Sequence, residues 1–283
     1  MPRSPERWAE RFHNLVARKT HLAAAAPLPP YLTEVDEPGP DAMAIGNAWS
    51  KRLFDGPFYL PPPPPEDRPA CSLVFVQSAD GNTVAVNPET LGGGQTDKHL
   101  IYEGLSRVAA DGVLAGAGTV RGSGLVFSVW HPELVSLRLS LTLPRHPVQI
   151  VATLKGLDLE DALLFNVPEI PVLLLTLPPP AQQMREALEA RPWVTPVLIE
   201  GPHDLPAAFS RLRSMGIARI SCIGGRTLAQ HLLAADLIDD VYLTTGTGRG
   251  GAPGTPLFAT PWRHRVSVRK RAPAVNAACA STV

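Results

Sequence analysis

The sequence predicts a three-layer α/β domain around a mostly parallel sheet, and three observations predict it. Beyond Cys71, short β-like runs alternate with segments of helical period, the pattern of a parallel sheet covered on both faces. Several runs, Val172–Leu175 most plainly, are apolar throughout, as strands buried on both faces are. Two runs break into glycines and then enter a helical segment, the strand–turn–helix step of such folds.

Taken in order, residues 6–19 place Trp8, Phe12, Leu15 and Val16 at i, i+4, i+7 and i+8, one apolar stripe of a short helix. From Ala23 to Pro69 the chain is proline-rich and aperiodic, ending in the run Pro61 to Pro65, which reads as a strap or linker. Strands are expected at Ser72–Gln77, Gly112–Ala115, Val148–Ala152, Val172–Thr176, Val197–Ile199, Arg219–Ile223 and Asp240–Thr245. Ile101, Leu105, Val108 and Ala109 line one helix face, with Thr96 as its cap. A second helix opens at Asp204 and closes at Gly216, and a third runs from Arg226 to Ala234 with Leu228, Leu232 and Leu233 inward. The expected divisions are residues 1–70 as helix and strap, 71–270 as the domain and 271–283 as a flexible tail.

Composition narrows the function. Twenty-six basic residues balance twenty-six acidic ones, so no long-range field gathers nucleic acid or anionic membrane. Cys71, Cys222 and Cys279 are far apart and form no CxxC, which fits a reducing cytoplasm. No apolar run approaches the length of a membrane span. Zinc-hydrolase and zinc-deaminase ligand motifs are missing, and Gly122-Ser123-Gly124 is not a nucleophile elbow.

The chemistry concentrates at the two glycine-bearing strand ends. In Val113–Arg121 a buried strand breaks into Gly116-Ala117-Gly118-Thr119, where backbone can approach a ligand with no Cβ in the way. In Ile220–Leu228 a strand runs through Gly224-Gly225 into a helix whose free amides carry partial positive charge, an anion site. Neither run is G-x-G-x-x-G or a P-loop.

Ser78–Asn82, Asp111–Arg121, Cys222–Leu233, Asp239-Asp240 and Gly254–Phe258 follow in an order that resembles the reductase domain of bacterial riboflavin biosynthesis, related in fold to dihydrofolate reductase. The runs GAGTVR and GGRTLAQHLL are its specific parts, and the likeness spans roughly residues 71–270. The resemblance implies NADPH as cofactor, with Gly224, Gly225, Arg226, Thr227 and Leu228 at its pyrophosphate. It implies Gly116, Gly118 and Thr119 on the adenosine side and Ala79 with Asp80 and Gly81 beside the nicotinamide, while the charge and position of Arg121 alone point it toward the 2′-phosphate. On the substrate side it implies Asp80, Arg107 as a phosphate grip, and the position of Ile223.

The same resemblance implies a heterocyclic small-molecule substrate and a homodimer, and assigns no catalytic side chain. Three positions depart from the family: Ile223 stands for a glutamate, Asn82 for a basic residue, and Leu91–Gly94 for a loop with an aromatic. The open readings are a ribosylaminopyrimidine phosphate reductase, a reductase of another heterocycle such as a pterin, and a nucleotide-binding protein without turnover.

Overall fold

The computed structural model describes residues 5–28, 31–33, 43–54, 58–60, 64–85, 88–122, 124–257, 268–271 and 279–282. The chain opens with α1 (Pro5–Ala25), β1 (Tyr31–Thr33), β2 (Met43–Ile45), α2 (Ala48–Phe54) and β3 (Phe58–Leu60). The domain follows with β4 (Ala70–Gln77) and then α3, a continuous helix made of Gly94–Thr96, Asp97–Leu105 and Ser106–Val108. Next come β5 (Gly112–Gly116), α4 (Ala117–Val120), α5 (Pro132–Ser140), β6 (Val148–Thr153), β7 (Val172–Thr176), α6 (Pro178–Gln183), α7 (Arg185–Glu189) and β8 (Val194–Leu198). The last third holds α8 (Leu205–Ser214), β9 (Arg219–Cys222), α9 (Arg226–Ala234), β10 (Asp240–Gly246), β11 (Val268–Arg271) and β12 (Cys279–Thr282).

The sheet runs β1-β11-β12-β10-β4-β9-β5-β6-β7-β8. The seven strands from β10 to β8 are parallel, while β12, β11 and β1 extend one edge antiparallel. The chain steps outward from β5 to β8 and then returns to lay β9 between β4 and β5. That reversal is the topological switch point, and the crevice outside the carboxyl ends of the strands there is where such sheets bind ligands.

Alternation along the strands divides the core. Leu73, Leu114, Ile150, Leu175 and Cys222 face α8 and α9. Val113, Ala115, Val151 and Leu174 face the opposite way, against α1 and the Leu163–Asn166 turn. On that second face Val74 and Tyr242 lie with α3, α5 and the β2–β3 hairpin.

The stripe of α1 lies in the core of its own chain: Trp8, Phe12 and Leu15 are buried and Val16 is partly buried against them. Leu15→Ala is therefore expected to cost about 2–3 kcal/mol in urea unfolding, since it removes buried methyls and leaves a cavity. Leu22→Ala, at a half-exposed position of the same helix, is expected to stay within about 0.5 kcal/mol; equal costs would mean that α1 does not pack as described.

Several local expectations shift. Thr96 does not cap α3; it is helical, buried and makes no side-chain cap bond, because the helix already starts at Gly94. Asp204 makes no cap bond either, its carboxylate accepting from Arg211 and the Glu200 amide. Gly216, at φ +90°, closes α8 as expected, with the Ile217 amide bonded to the Leu212 carbonyl. β8 lies at Val194–Leu198 rather than Val197–Ile199, and carries Pro196, which an edge strand tolerates. The segment read as an aperiodic strap holds α2 and the β2–β3 hairpin, whose Ile45, Leu53, Phe58 and Leu60 are buried; such sparse apolar residues make no visible period. Pro61–Pro63 and Phe258 lie outside the described residues. In the segment read as a flexible tail, β12 pairs with β10. No described helix is long and apolar enough to cross a membrane.

Candidate active site at the carboxyl rim

The two glycine turns meet. β5 and β9 are adjacent and parallel, so both turns leave the same rim, and the Gly116 amide donates to the Gly224 carbonyl at 2.9 Å. One residue earlier the Ile223 amide donates to the Leu114 carbonyl, also at 2.9 Å. Gly224 sits at φ +94°, where glycine is favoured, and a Cβ there would come within 3.3 Å of the Phe75 ring. Gly225 has extended backbone just before α9, and Gly118 lies in α4; a Cβ at either would meet nothing within 4 Å. Open space therefore lies above both turns, faced by the first amides of α9.

Two loops complete this rim. Ser78–Gly81 form a turn in which the Gly81 amide donates to the Ser78 carbonyl, with Gly81 at φ +79°. Asn82 then ties this loop to residues 248–255: its amide nitrogen donates to the Gly250 carbonyl at 3.1 Å and its Oδ1 accepts from the Thr255 amide at 3.3 Å. Thr83 adds two bonds to the Thr255 carbonyl. A basic residue at position 82 could not make both amide bonds, which gives the departure there a structural sense. Asp80 and Ala79 are exposed, and Asp80 lies 3.6 Å from the highly exposed Arg249. Arg226, first in α9, donates to the Pro256 carbonyl at 3.3 Å and holds the same loop to the glycine pair.

Residues 69–262 match the family described as the RibD C-terminal domain. The chain belongs to that family. It is the riboflavin-biosynthesis reductase family whose runs the sequence carries. Among solved structures the fold is similar to that of a pyrimidine reductase-like protein from Corynebacterium diphtheriae, with 22% identity, a TM-score of 0.57, and coverage of 76% of this chain and 91% of that one. It is also similar to RibD from Acinetobacter baumannii, with 18% identity and a TM-score of 0.55 over 76% of this chain and 57% of that one. A deaminase/reductase from Thermotoga maritima gives 19% identity and a TM-score of 0.50, over 76% of this chain and 56% of that one. No curated protein sequence matches the chain.

The structure brings Ala79, Asp80, Gly116, Gly118, Thr119, Arg121, Gly224, Gly225, Arg226, Thr227 and Leu228 to one rim, and leaves Arg107 elsewhere. Arg107 sits at the far end of α3, is 1% exposed, donates to the Ser128 carbonyl at 3.1 Å and stacks on the Tyr102 ring at 4.4 Å. Asp111 and Asp239 also lie at the amino rim, where Asp111 accepts from the Ala218 and Arg219 amides and Asp239 from Cys71 and Arg68. Ile223 is at the carboxyl rim but only 8% exposed, in the same apolar cluster as the α1 stripe. Among the described residues no group of His, Cys, Asp and Glu is placed to hold a metal.

One acidic residue of this rim is absent from the sequence reading. Asp97 lies in the first turns of α3; burial pushes its carboxyl up to about 6, with the Thr244 hydroxyl acting in the opposite direction. Its Oδ1 is buried and has no hydrogen-bond partner among the described residues. In the sequence an Asp beside Thr96 at a helix start reads as an ordinary solvated first-turn acid. Only the strand opposite it, β10, reveals that it is covered.

Proposed function

We propose that this chain is an NADPH-dependent reductase of a small heterocycle, acting at the carboxyl rim. The observation that carries the reading is the Gly116–Gly224 hydrogen bond, which joins two glycine turns at the switch point and leaves open backbone at Gly118 and Gly225. A dinucleotide fits such a cradle, because its diphosphate needs amides at a helix start with no side chain between. Gly224 through Leu228 would hold the pyrophosphate, Gly116, Gly118 and Thr119 the adenosine side, Arg121 the 2′-phosphate, and Ala79 with Asp80 the nicotinamide side. When bound, the cofactor supplies a hydride; the protein's part is to hold substrate and proton donor in line with it. A homodimer in the cytoplasm is the companion expectation.

For the substrate, two readings remain, and they divide by residue. Family membership favours a ribosylaminopyrimidine phosphate. Asp97 suits either substrate, since both take a proton as the hydride arrives and an acid with a pKa near 6 holds and releases a proton near neutral pH. Ile223 and Arg107 favour the second reading, a heterocycle such as a pterin: neither offers an exposed polar group at the rim.

Gly225→Asp tests the cofactor half. Gly225 is the residue before α9 and has negative φ, −68°, so an aspartate is tolerated there and caps the helix. Its carboxylate would occupy the space assigned to the diphosphate. A melt at or above that of wild type is expected, with NADPH affinity reduced at least about tenfold, or 1.4 kcal/mol. Titration by nicotinamide fluorescence decides: wild-type protein that does not bind NADPH, or a folded Asp variant that binds it equally well, removes the cofactor from this rim.

A further inference from the structure

The stretch Asp97–Leu105 of α3 is wound with i→i+5 bonds, nine residues of wide turns ending where the Ser106 amide bonds to the Ile101 carbonyl. Wide turns are rare, usually single, and concentrated at functional sites, so a run of this length needs outside support. The Ser106 hydroxyl supplies part of it, donating to the Ile101 carbonyl at 2.8 Å and lying 3.1 Å from that of Tyr102. The rest comes from α1. Lys19 forms an ion pair with Glu103 in the last turn of the wide-turned stretch, and both side chains are nearly buried. His99 lies 3.5 Å from the other Glu103 oxygen, and Arg107 follows along the same helix. Burial alone would raise the Glu103 carboxyl, but His99, Lys19 and Arg107 hold it below its ordinary value, so it stays ionised and bound to Lys19.

We propose that Lys19 is a positioning residue of the candidate site: from a helix outside the family-matched segment it fixes Glu103, the winding of α3 and thereby the Asp97 carboxyl at the rim. The geometry makes the link direct. Each residue of register lost between wide and ordinary turns rotates the helix by about 100°. Asp97 begins the wide stretch and Glu103 lies inside it, so a slip at Glu103 carries Asp97 away from Thr244. The inference rests on the reading that Asp97 serves the reductase site, but its test does not need the cofactor.

The variant to make is Lys19→Met with Glu103→Gln, which removes both charges together, leaves no buried ion unpaired and keeps net charge unchanged. The readout is the titration of the Asp97 carboxyl carbon by NMR in the full chain without ligand, its resonance assigned by its loss in Asp97→Asn. A shift of the double variant toward the ordinary carboxylate value by about half a pH unit or more is expected, because Asp97 leaves its covered position. Lys19→Arg, which keeps the pair, is expected to titrate as wild type. A double variant in which Asp97 titrates as in wild type, whatever its melting temperature, overturns the proposal and makes Lys19 a stabilising contact alone. So does a Lys19→Arg variant shifted as far as the double variant. Failure of wild-type protein to bind NADPH sinks the functional reading instead and leaves this result standing.

Discussion

Replacing Arg138 with methionine is expected to lower stability by about 3–5 kcal/mol, the cost of removing the charged partner of several buried carbonyls. Arg138 lies on α5 and is fully buried. Its Nη1 donates to the carbonyls of Arg107, Val108 and Ala110 at 3.0, 3.3 and 2.6 Å, and its Nε to that of Pro144 at 2.6 Å. The first three are at the carboxyl end of α3, where the last carbonyls of a helix have no partner of their own and where a cation also opposes the helix dipole. Burial lowers the guanidinium to about 10, the nearby Arg145 adds to this and Asp111 opposes it, so the group remains charged at neutral pH. Methionine fills much of the volume and none of the bonds. For a chain of this size the loss corresponds to a melting temperature lower by about 10 °C. Arg138→Lys is expected to recover only part of it, because one ammonium cannot span four carbonyls. A methionine variant within about 1 kcal/mol of wild type would mean that water or a rearranged turn caps α3 instead.

Arg138 also shows where sequence reasoning stops. In Pro132–Ser140 an arginine between leucines looks like the solvated edge of a helix, and only the end of α3, thirty residues earlier in the chain, gives it partners. The parallel strands were far more legible. Val172–Thr176 and Asp240–Gly246 are runs whose apolar or β-branched residues must be covered, and the structure has them within a residue of the expected limits. Pro196 displaced β8 because proline argues against a central strand, and an edge position cannot be read from one segment. At the rim, the glycine turns were visible as local sequence, whereas their joining through Gly116 and Gly224 depends on β9 returning beside β5 from a hundred residues away. The wide turns of α3 left no mark, since Ile101 and Leu105 fall on one face of either winding.

Asp97→Asn is expected to separate activity from stability. The carboxyl titrates near 6 in the folded protein against 3.8 in a solvated chain. Between those values the folded state keeps a proton that the unfolded state has lost, so this group favours folding fully below about pH 4 and loses that contribution as pH rises through 6. Above 6 it is a buried carboxylate at a cost, and asparagine removes the cost. The variant is therefore expected to melt higher than wild type at pH 8, with the difference shrinking toward pH 4. Its reductase activity is expected to fall by about a hundredfold or more, the usual contribution of a placed general acid. Wild-type kcat/KM is expected to decline as pH rises through about 6 and the variant's residual rate to lose that step, since asparagine has no proton to give. NADPH affinity should change little, because the glycine turns that would hold it belong to β5 and β9 and Asp97 to α3. The decisive comparison is made with dihydropterin and ribosylaminopyrimidine substrates across pH 5–9. Asparagine that leaves rate and pH profile unchanged with every substrate turned over would exclude Asp97 as the proton donor, and an unchanged melting temperature at pH 8 would exclude the buried carboxylate itself.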